Sequence, residues 1–452
     1  MSIVEQVKSA PMSRAQIQAV VLCLGMNLLD GFDLLATSFV GPAISREWGL
    51  SPSQLGVLLS SGLAGMAFGA LFLAPLADRV GRRRLTLGGL AMGALGMLAA
   101  SVSQDFGQLL AARLVTGAAV GVMAASLPVL ASEYANNKRR GLVVALITTG
   151  YGLGAVIAGI TTSLLLGPFG WRAVFLFGGI ATAVLFALGL RFLPESMDYL
   201  VSRRPEGALA RLNRILLSIG HPQVDELPEQ ETGSSRGMAV DALFRGGNAL
   251  RTVLVWVAFT TAMTVFYFAS SWTPTLLLEA GMSSQQGLSG GVLFSLGGVV
   301  GVISLGLLLS RIESHRLTAA YFLVSAVALV LFSVTLGSLG AALVVAVFVG
   351  FLLNGSVSGL NVIIPTLYPA HARATALGIA VAVSRLGAVL APLLAGFLLE
   401  SGWAPESMFR IFAVPALVGA AATIFLLRGA QAASVDARPA PAATEAPKGA
   451  VA

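Results

Sequence analysis

The sequence predicts an all-α membrane protein of twelve transmembrane helices in two pseudo-symmetric six-helix halves. Three observations lead there. Of 452 residues, 56% are hydrophobic and only 11% charged, with mean hydropathy +0.85, whereas soluble domains carry about 25% charged residues. The apolar residues fall in runs of membrane-spanning length. Landmarks of the first half also recur in the second at an offset of 232 to 234 residues.

In chain order, residues 1–16 are mixed polar, so the first apolar run reads as a span rather than a signal peptide. Spans are expected near 17–42, 53–77, 84–104, 107–132, 140–166 and 171–193, forming an N-terminal half over 1–193. A polar connector, 194–249, follows. There Leu209, Leu212, Ile215 and Leu216 stand at helical spacing against Arg211 and Arg214, the pattern of a short amphipathic helix on the inner membrane surface. Six more spans, near 250–280, 285–310, 315–336, 339–367, 373–399 and 405–428, make a C-terminal half over 250–428. The Ala- and Pro-rich tail, 429–452, has no apolar periodicity and is expected to be disordered.

Charge sets the orientation. With the N-terminus in the cytoplasm, only Arg46, Arg172 and Arg410 lie outside, while Arg113 and Arg385 lie within spans. Every other Lys and Arg is then cytoplasmic, as are both termini and the connector. This asymmetry explains the net charge of +7 without a nucleic-acid partner. The single cysteine, Cys23, lies in the first span and rules out an intrachain disulfide.

The repeat is carried by short matches in register. Asp78 and Arg79 match Ser310 and Arg311; Tyr134 and Arg139 match Tyr368 and Arg373; Gly152 to Ala155 match Arg385 to Ala388; Gly170 and Trp171 match Gly402 and Trp403. Two six-helix halves related by an axis along the membrane normal would place a substrate site between them near the midplane.

Two carboxylates, Asp30 and Asp33, interrupt the first span three residues apart and therefore on one helix face. Each unpaired charge near a bilayer centre costs at least ~2.5 to 3.5 kcal/mol. Either an arginine satisfies them for packing alone, or they form a proton or substrate site. Because His221, His315 and His371 fall in expected cytoplasmic loops, proton binding near the midplane falls to a carboxylate. Burial and mutual repulsion both disfavour a doubly ionised pair. Asp33 is read as the proton site and Asp30 as the partner that tunes it.

Arg385 is the arginine expected at mid-membrane, where its guanidinium could take a substrate carboxylate through two parallel hydrogen bonds or neutralise an aspartate across the interface of the halves. If substrate displaces the aspartate and a proton then compensates it, proton and substrate movement are coupled. Tyr267, Trp272 and Asn354 are candidate pocket residues, since aromatic and polar groups facing a bundle interior suit an aromatic acid.

Between the second and third spans the chain reads Gly69-Ala-Leu-Phe-Leu-Ala-Pro-Leu-Ala-Asp78-Arg79-Val-Gly81-Arg82-Arg-Arg84, which resembles the GxLADRxGRR loop of the major facilitator superfamily. That resemblance implies the major facilitator fold, with Asp78 facing the start of helix 11 and Asp78, Arg79, Gly81 and Arg82 latching one conformation of two rocking halves. Leu109, Arg113 and Gly117 are similar to the superfamily's LxxxRxxxG signature, whose arginine is associated with proton coupling.

Adding Asp30-Gly31-Phe32-Asp33, Pro194-Glu195-Ser196, and the run Tyr368-Pro369, Arg373-Ala374-Thr375, Gly378, Ser384-Arg385-Leu386-Gly387 and Pro392 narrows the resemblance to the aromatic acid:H+ symporters. It implies alternating-access import of an aromatic carboxylate such as a benzoate, hydroxybenzoate or hydroxyphenylpropionate, with H+ as coupling ion and no cofactor or metal. A monomer in a bacterial inner membrane is the family expectation. Glu133 resembles a family acid and is expected to gate or pair with the basic loop of Lys138, Arg139 and Arg140, with Arg373 its counterpart in the second half. Ser384 stands where the family has glycine and bears on the pocket wall, while Ser310 makes the latch asymmetric.

Alternatives are a proton symporter for another organic anion or a sugar, and a membrane sensor of the same ligand. Arg385 argues against a sugar, and the lack of a sizeable soluble domain argues against a sensor. No metal-ligand cluster, activated nucleophile or phosphate loop suggests an enzyme.

Overall fold

The computed structural model describes residues 3–228, 240–245 and 248–436. Twelve helices are long and apolar enough to cross a membrane. In the first half they are α1 (Arg14–Trp48), α2 (Pro52–Val80), α3 (Arg82–Ser101), α4 (Phe106–Tyr134), α5 (Arg140–Phe169) and α6 (Trp171–Phe192). The second half contains α7 (Asn248–Glu279), α8 (Ser284–Leu308), α9 (Ser314–Thr335), α10 (Leu339–Thr366), α11 (Arg373–Glu400) and α12 (Pro405–Leu427).

Each expected span has its helix, and the described residues contain no strand. The ends shift by local chemistry. α1 runs on to Trp48 because Gly49, at φ 62°, supplies the left-handed stop only there. Asp105 caps α4 and so separates it from α3. A capping box of Ser51 and Gln54 starts α2, and Ser283 with Gln286 starts α8 in the same way. These two boxes stand at the repeat offset.

α2 is irregular at its inner end. Gly69–Leu73 widens to a π turn and Ala74–Leu76 tightens to a 3-10 turn around Pro75. Gly81, at φ 100°, then turns the chain into α3. In the connector, Met197–Arg203 and Ala208–Ser218 are helical, and Leu212, Ile215 and Leu216 are buried against the inner ends of the first half. The helix begun by α12 continues to Asp436, and residues 437–452 of the tail expected to be disordered lie outside the described residues.

Glycines bring helix backbones together where van der Waals packing must replace the hydrophobic effect. A Cβ on Gly31 would strike the Tyr151 carbonyl, and one on Gly154 the Leu28 carbonyl, so α1 and α5 touch backbone to backbone beside Asp30. Gly65 and Gly117 do the same for α2 and α4, and Gly297 and Gly350 for α8 and α10.

The two halves meet through α1, α2 and α5 on one side and α7, α8 and α11 on the other. Their joining bonds gather at the ends of the spans remote from the N-terminus. Arg46 Nη2 donates to Ser284 Oγ at 2.8 Å, Gln285 Nε2 to Ser163 Oγ at 2.5 Å, and Ser53 N to Glu400 Oε2 at 3.1 Å. Slightly deeper, Ser60 Oγ donates to the Val389 carbonyl at 2.8 Å. All five ion pairs among the described residues lie within one half or its neighbouring connector. The halves are therefore closed against each other at the face remote from the N-terminus.

Candidate functional site

The shared helix face of Asp30 and Asp33 points into the first half, towards α3, α4 and α6, where a cavity of only about 10 Å³ adjoins both. That volume is too small for an organic substrate. Asp33 is ion-paired with Arg113 of α4, whose Nη2 also donates to the Asp33 carbonyl at 2.9 Å. The guanidinium is 1% exposed and lies 5.8 Å from the centroid of the Phe175 ring. The Arg113 head group thus stays inside the first half.

Asp30 has no such partner. Both of its carboxyl oxygens are buried without a hydrogen bond. The expected pairing of an aspartate with Arg385 across the halves is replaced by the pairing of Asp33 and Arg113 inside one half. Sequence spacing put both carboxylates on one face but could not tell which helix that face meets.

Arg385 of α11 sits where the halves adjoin. Its Nη1 lies 3.3 Å from Tyr267 Oη of α7 and 3.3 Å from Met66 Sδ of α2, while Nε is buried with no partner. Among the described residues no carboxylate forms an ion pair with it. Tyr267 stands edge-on to Phe266 at 5.0 Å, and Phe266 packs on Phe294 of α8 at 6.2 Å. From the first half Tyr151 packs against the cluster that contains Met66, Tyr267 and Phe294, its hydroxyl buried without a hydrogen bond among the described residues. Tyr151, Met66 and Phe294 were not singled out in the sequence; a tyrosine between Gly150 and Gly152 in an apolar span was the available signal.

The remaining pocket candidates are engaged elsewhere. Trp272 is 1% exposed and donates through Nε1 to the Pro392 carbonyl at 3.2 Å. It lines an outer cavity of about 580 Å³ with Arg46, Thr275 and Trp403 rather than the surroundings of Arg385. Asn354 Nδ2 donates to Gly350 O of its own helix at 3.0 Å and its amide packs on Gly298. Ser384 is fully buried and donates to Val381 O at 2.7 Å. Both polar side chains satisfy backbone carbonyls one turn earlier, a local alternative that the sequence does not distinguish from a ligand contact.

At the inner end, Glu133 pairs with Arg82 and accepts from Ser196 Oγ at 2.9 and 2.7 Å. Its partner is thus the arginine of the loop between α2 and α3, not the basic run at Lys138, Arg139 and Arg140. Glu195 Oε1 accepts from Arg83 N at 2.9 Å, and Tyr199 Oη donates to Arg79 O at 3.1 Å. The Pro194-Glu195-Ser196 segment is in this way fastened beneath Gly81. Asp78 is exposed and, among the described residues, makes no hydrogen bond or ion pair, so the expected latch to α11 is not formed here. Arg139 caps α5 through its backbone, and Arg373 donates to the Tyr368 carbonyl at 3.1 Å. The Tyr368 hydroxyl, between α10 and α11, bonds Thr252 at 2.9 Å, and burial pushes its pKa up.

The sequence model of the Major Facilitator Superfamily matches residues 23–359 and 294–451. The chain belongs to the Major Facilitator Superfamily. It is a multi-pass inner-membrane transporter and not an enzyme. Relatives include the 4-hydroxybenzoate transporter PcaK of Pseudomonas aeruginosa, 32% identical over 94% of this chain and 94% of the relative. The gallate transporter of Pseudomonas putida is 30% identical over 92% of this chain and 93% of its own length. The 3-(3-hydroxy-phenyl)propionate transporter of Escherichia coli is 31% identical over 90% and 92%. Among solved structures, the xylose transporter XylE of Escherichia coli superposes with a TM-score of 0.71 at 17% identity, covering 92% of this chain and 98% of that one, a likeness of fold alone. Among the described residues of this transporter no group of His, Cys, Asp and Glu is placed to hold a metal.

Proposed function

We infer that this transporter imports an aromatic carboxylate with H+ by alternating access, as a monomer with both termini and the 194–249 connector in the cytoplasm. The observation that carries the reading is Arg385: a guanidinium between the halves with a buried, unpartnered Nε and no ion pair among the described residues. A half-buried cation lacking a counter-charge carries a desolvation cost, and a substrate carboxylate held by two parallel hydrogen bonds supplies the missing charge. Phe266 and Tyr267 give the ring an apolar wall. Relatives named for 4-hydroxybenzoate, gallate and 3-(3-hydroxy-phenyl)propionate support a phenolic or benzoic acid.

The coupled proton belongs on Asp30 rather than on Asp33. Arg113 already neutralises Asp33, so protonating Asp33 would strand a buried cation. Asp30 has no donor or cation, and a proton removes the cost of burying its charge. Gly31 holds the Tyr151 backbone beside that carboxyl, and the Tyr151 side chain packs against the cluster that contains Tyr267. Protonation in one half is thereby felt at the anion site of the other.

The test is uptake of labelled 4-hydroxybenzoate into proteoliposomes, with and without a pH gradient. The parent accumulates substrate only with the gradient, Arg385→Gln abolishes uptake, and Asp30→Asn exchanges substrate without accumulating it. Uptake by the parent that ignores the gradient refutes the coupling, and full uptake by Arg385→Gln refutes the anchor.

A further inference from the structure

A second cavity, of about 550 Å³, lies at the inner end of the first half, remote from Arg385. Its walls come from the start of α1, the start of α3, the end of α6 and the connector helix Ala208–Ser218. Five arginines line it: Arg83, Arg84, Arg191, Arg211 and Arg214. The one carboxylate in the lining, Glu195, is already used, accepting through Oε1 from Arg83 N at 2.9 Å and Ser196 N at 3.0 Å. Arg83 is also committed, donating to Leu193 O at 2.6 Å and Leu190 O at 2.7 Å. Among the described residues, Arg84, Arg191, Arg211 and Arg214 have no ion pair.

We propose that this cavity binds the phosphodiester headgroup of an anionic phospholipid between α3, α6 and the connector helix. Four exposed guanidiniums without an ion pair converge on one cavity, a concentration of positive charge and donors that favours an anion, and phosphate matches their donor geometry. A lipid source is favoured over a soluble phosphate by position. The arginines on α3 and α6 stand at the helix ends, which lie at headgroup depth in a bilayer. Leu190 and Phe192, 51% and 45% exposed on the last turn of α6, continue from the cavity as an apolar surface for acyl chains. Leu212, Ile215 and Leu216 anchor the connector helix so that Arg211 and Arg214 are presented at the rim.

The experiment is native mass spectrometry of the full chain in detergent, titrated with phosphatidylglycerol, phosphatidylethanolamine or inorganic phosphate. Phosphatidylglycerol is expected to bind with one preferred site. Arg211→Gln with Arg214→Gln should weaken it by about 25-fold, at about fivefold per arginine. Arg191→Gln, on a transmembrane helix instead of the connector, should weaken it about fivefold, while Arg311→Gln in the other half changes nothing. Displacement of the lipid by millimolar inorganic phosphate would overturn the lipid assignment. Equal binding of phosphatidylethanolamine, or unchanged binding by both cavity variants, would overturn the anion site.

Discussion

Replacing Arg113 with Gln separates the structural role of the aspartate pair from its transport role. The substitution leaves Asp33 buried, about 5% exposed, with its cation gone. Removing one partner of a buried pair costs about 3 to 5 kcal/mol. The lost contact with Phe175, 5.8 Å away, adds about 0.5 to 2 kcal/mol. Asp33→Asn strands the arginine instead, but Arg113 keeps its 2.9 Å bond to the Asp33 carbonyl, so this loss sits at the lower end of the same range. In the double variant neither charge is left alone. Its loss should therefore be no greater than that of Arg113→Gln, giving a coupling of about 3 kcal/mol in the double-mutant cycle. Denaturant unfolding of the purified protein in detergent measures all four corners. Strictly additive losses would falsify the pairing and, with it, the assignment of the coupled proton to Asp30.

Three other outcomes follow from the geometry. Arg385→Lys keeps the charge but loses the planar fork, so KM for 4-hydroxybenzoate should rise at least about tenfold in proteoliposome uptake. Gly31→Ala places a methyl against the Tyr151 carbonyl and should cost about 1 to 3 kcal/mol in detergent unfolding, whereas Gly378→Ala, with open space at its Cβ, should not destabilise; equal effects would remove the α1–α5 contact from the argument. A Cβ on Gly56 would lie 2.7 Å from the Pro392 carbonyl at the outer closure, so Gly56→Trp should hold the outer face open. A cysteine at Ser60 should then label from outside in Gly56→Trp and resist labelling without it; buried Cys23 gives no background.

Apolar run length and charge placement made the twelve helices legible, because a bilayer imposes both constraints on sequence directly. The intramembrane placement of Asp30, Asp33, Arg113 and Arg385 was legible too: all four are buried or half-buried within spans. Pairing was not legible. Two aspartates at i and i+3 present one face, yet whether that face meets α4 or α11 depends on helix rotation, which small residues far away in sequence determine. Gly31 and Gly154 draw α5 onto α1, and Gly62 leaves room beside the Arg113 guanidinium. Asn354, Ser384 and Trp272 show a related limit, since each donates to a backbone carbonyl and nothing in residue type announces that choice.

The division of charges between the halves bears on how coupling can work. If an aspartate neutralised Arg385 directly, substrate and proton would compete at one contact, and each step would need that ion pair to break. Here the first half contains its own neutral pair, Asp33 with Arg113, and a lone carboxyl at Asp30, while the second half presents a lone guanidinium. A proton on Asp30 and an anion on Arg385 each remove one buried charge, so the doubly loaded transporter has no uncompensated charge at the interface. The empty transporter likewise sets a negative group in one half against a positive group in the other. Both of these states can pass through a closed, low-dielectric intermediate more readily than a singly loaded one, whose net charge would be buried without relief. Coupling on this scheme needs no direct contact between Asp30 and Arg385. It predicts that Asp30→Asn, permanently neutral, abolishes return of the empty transporter while sparing exchange. In preloaded proteoliposomes counterflow should persist and net efflux should stop; loss of both together would show that Asp30 holds the fold rather than the proton.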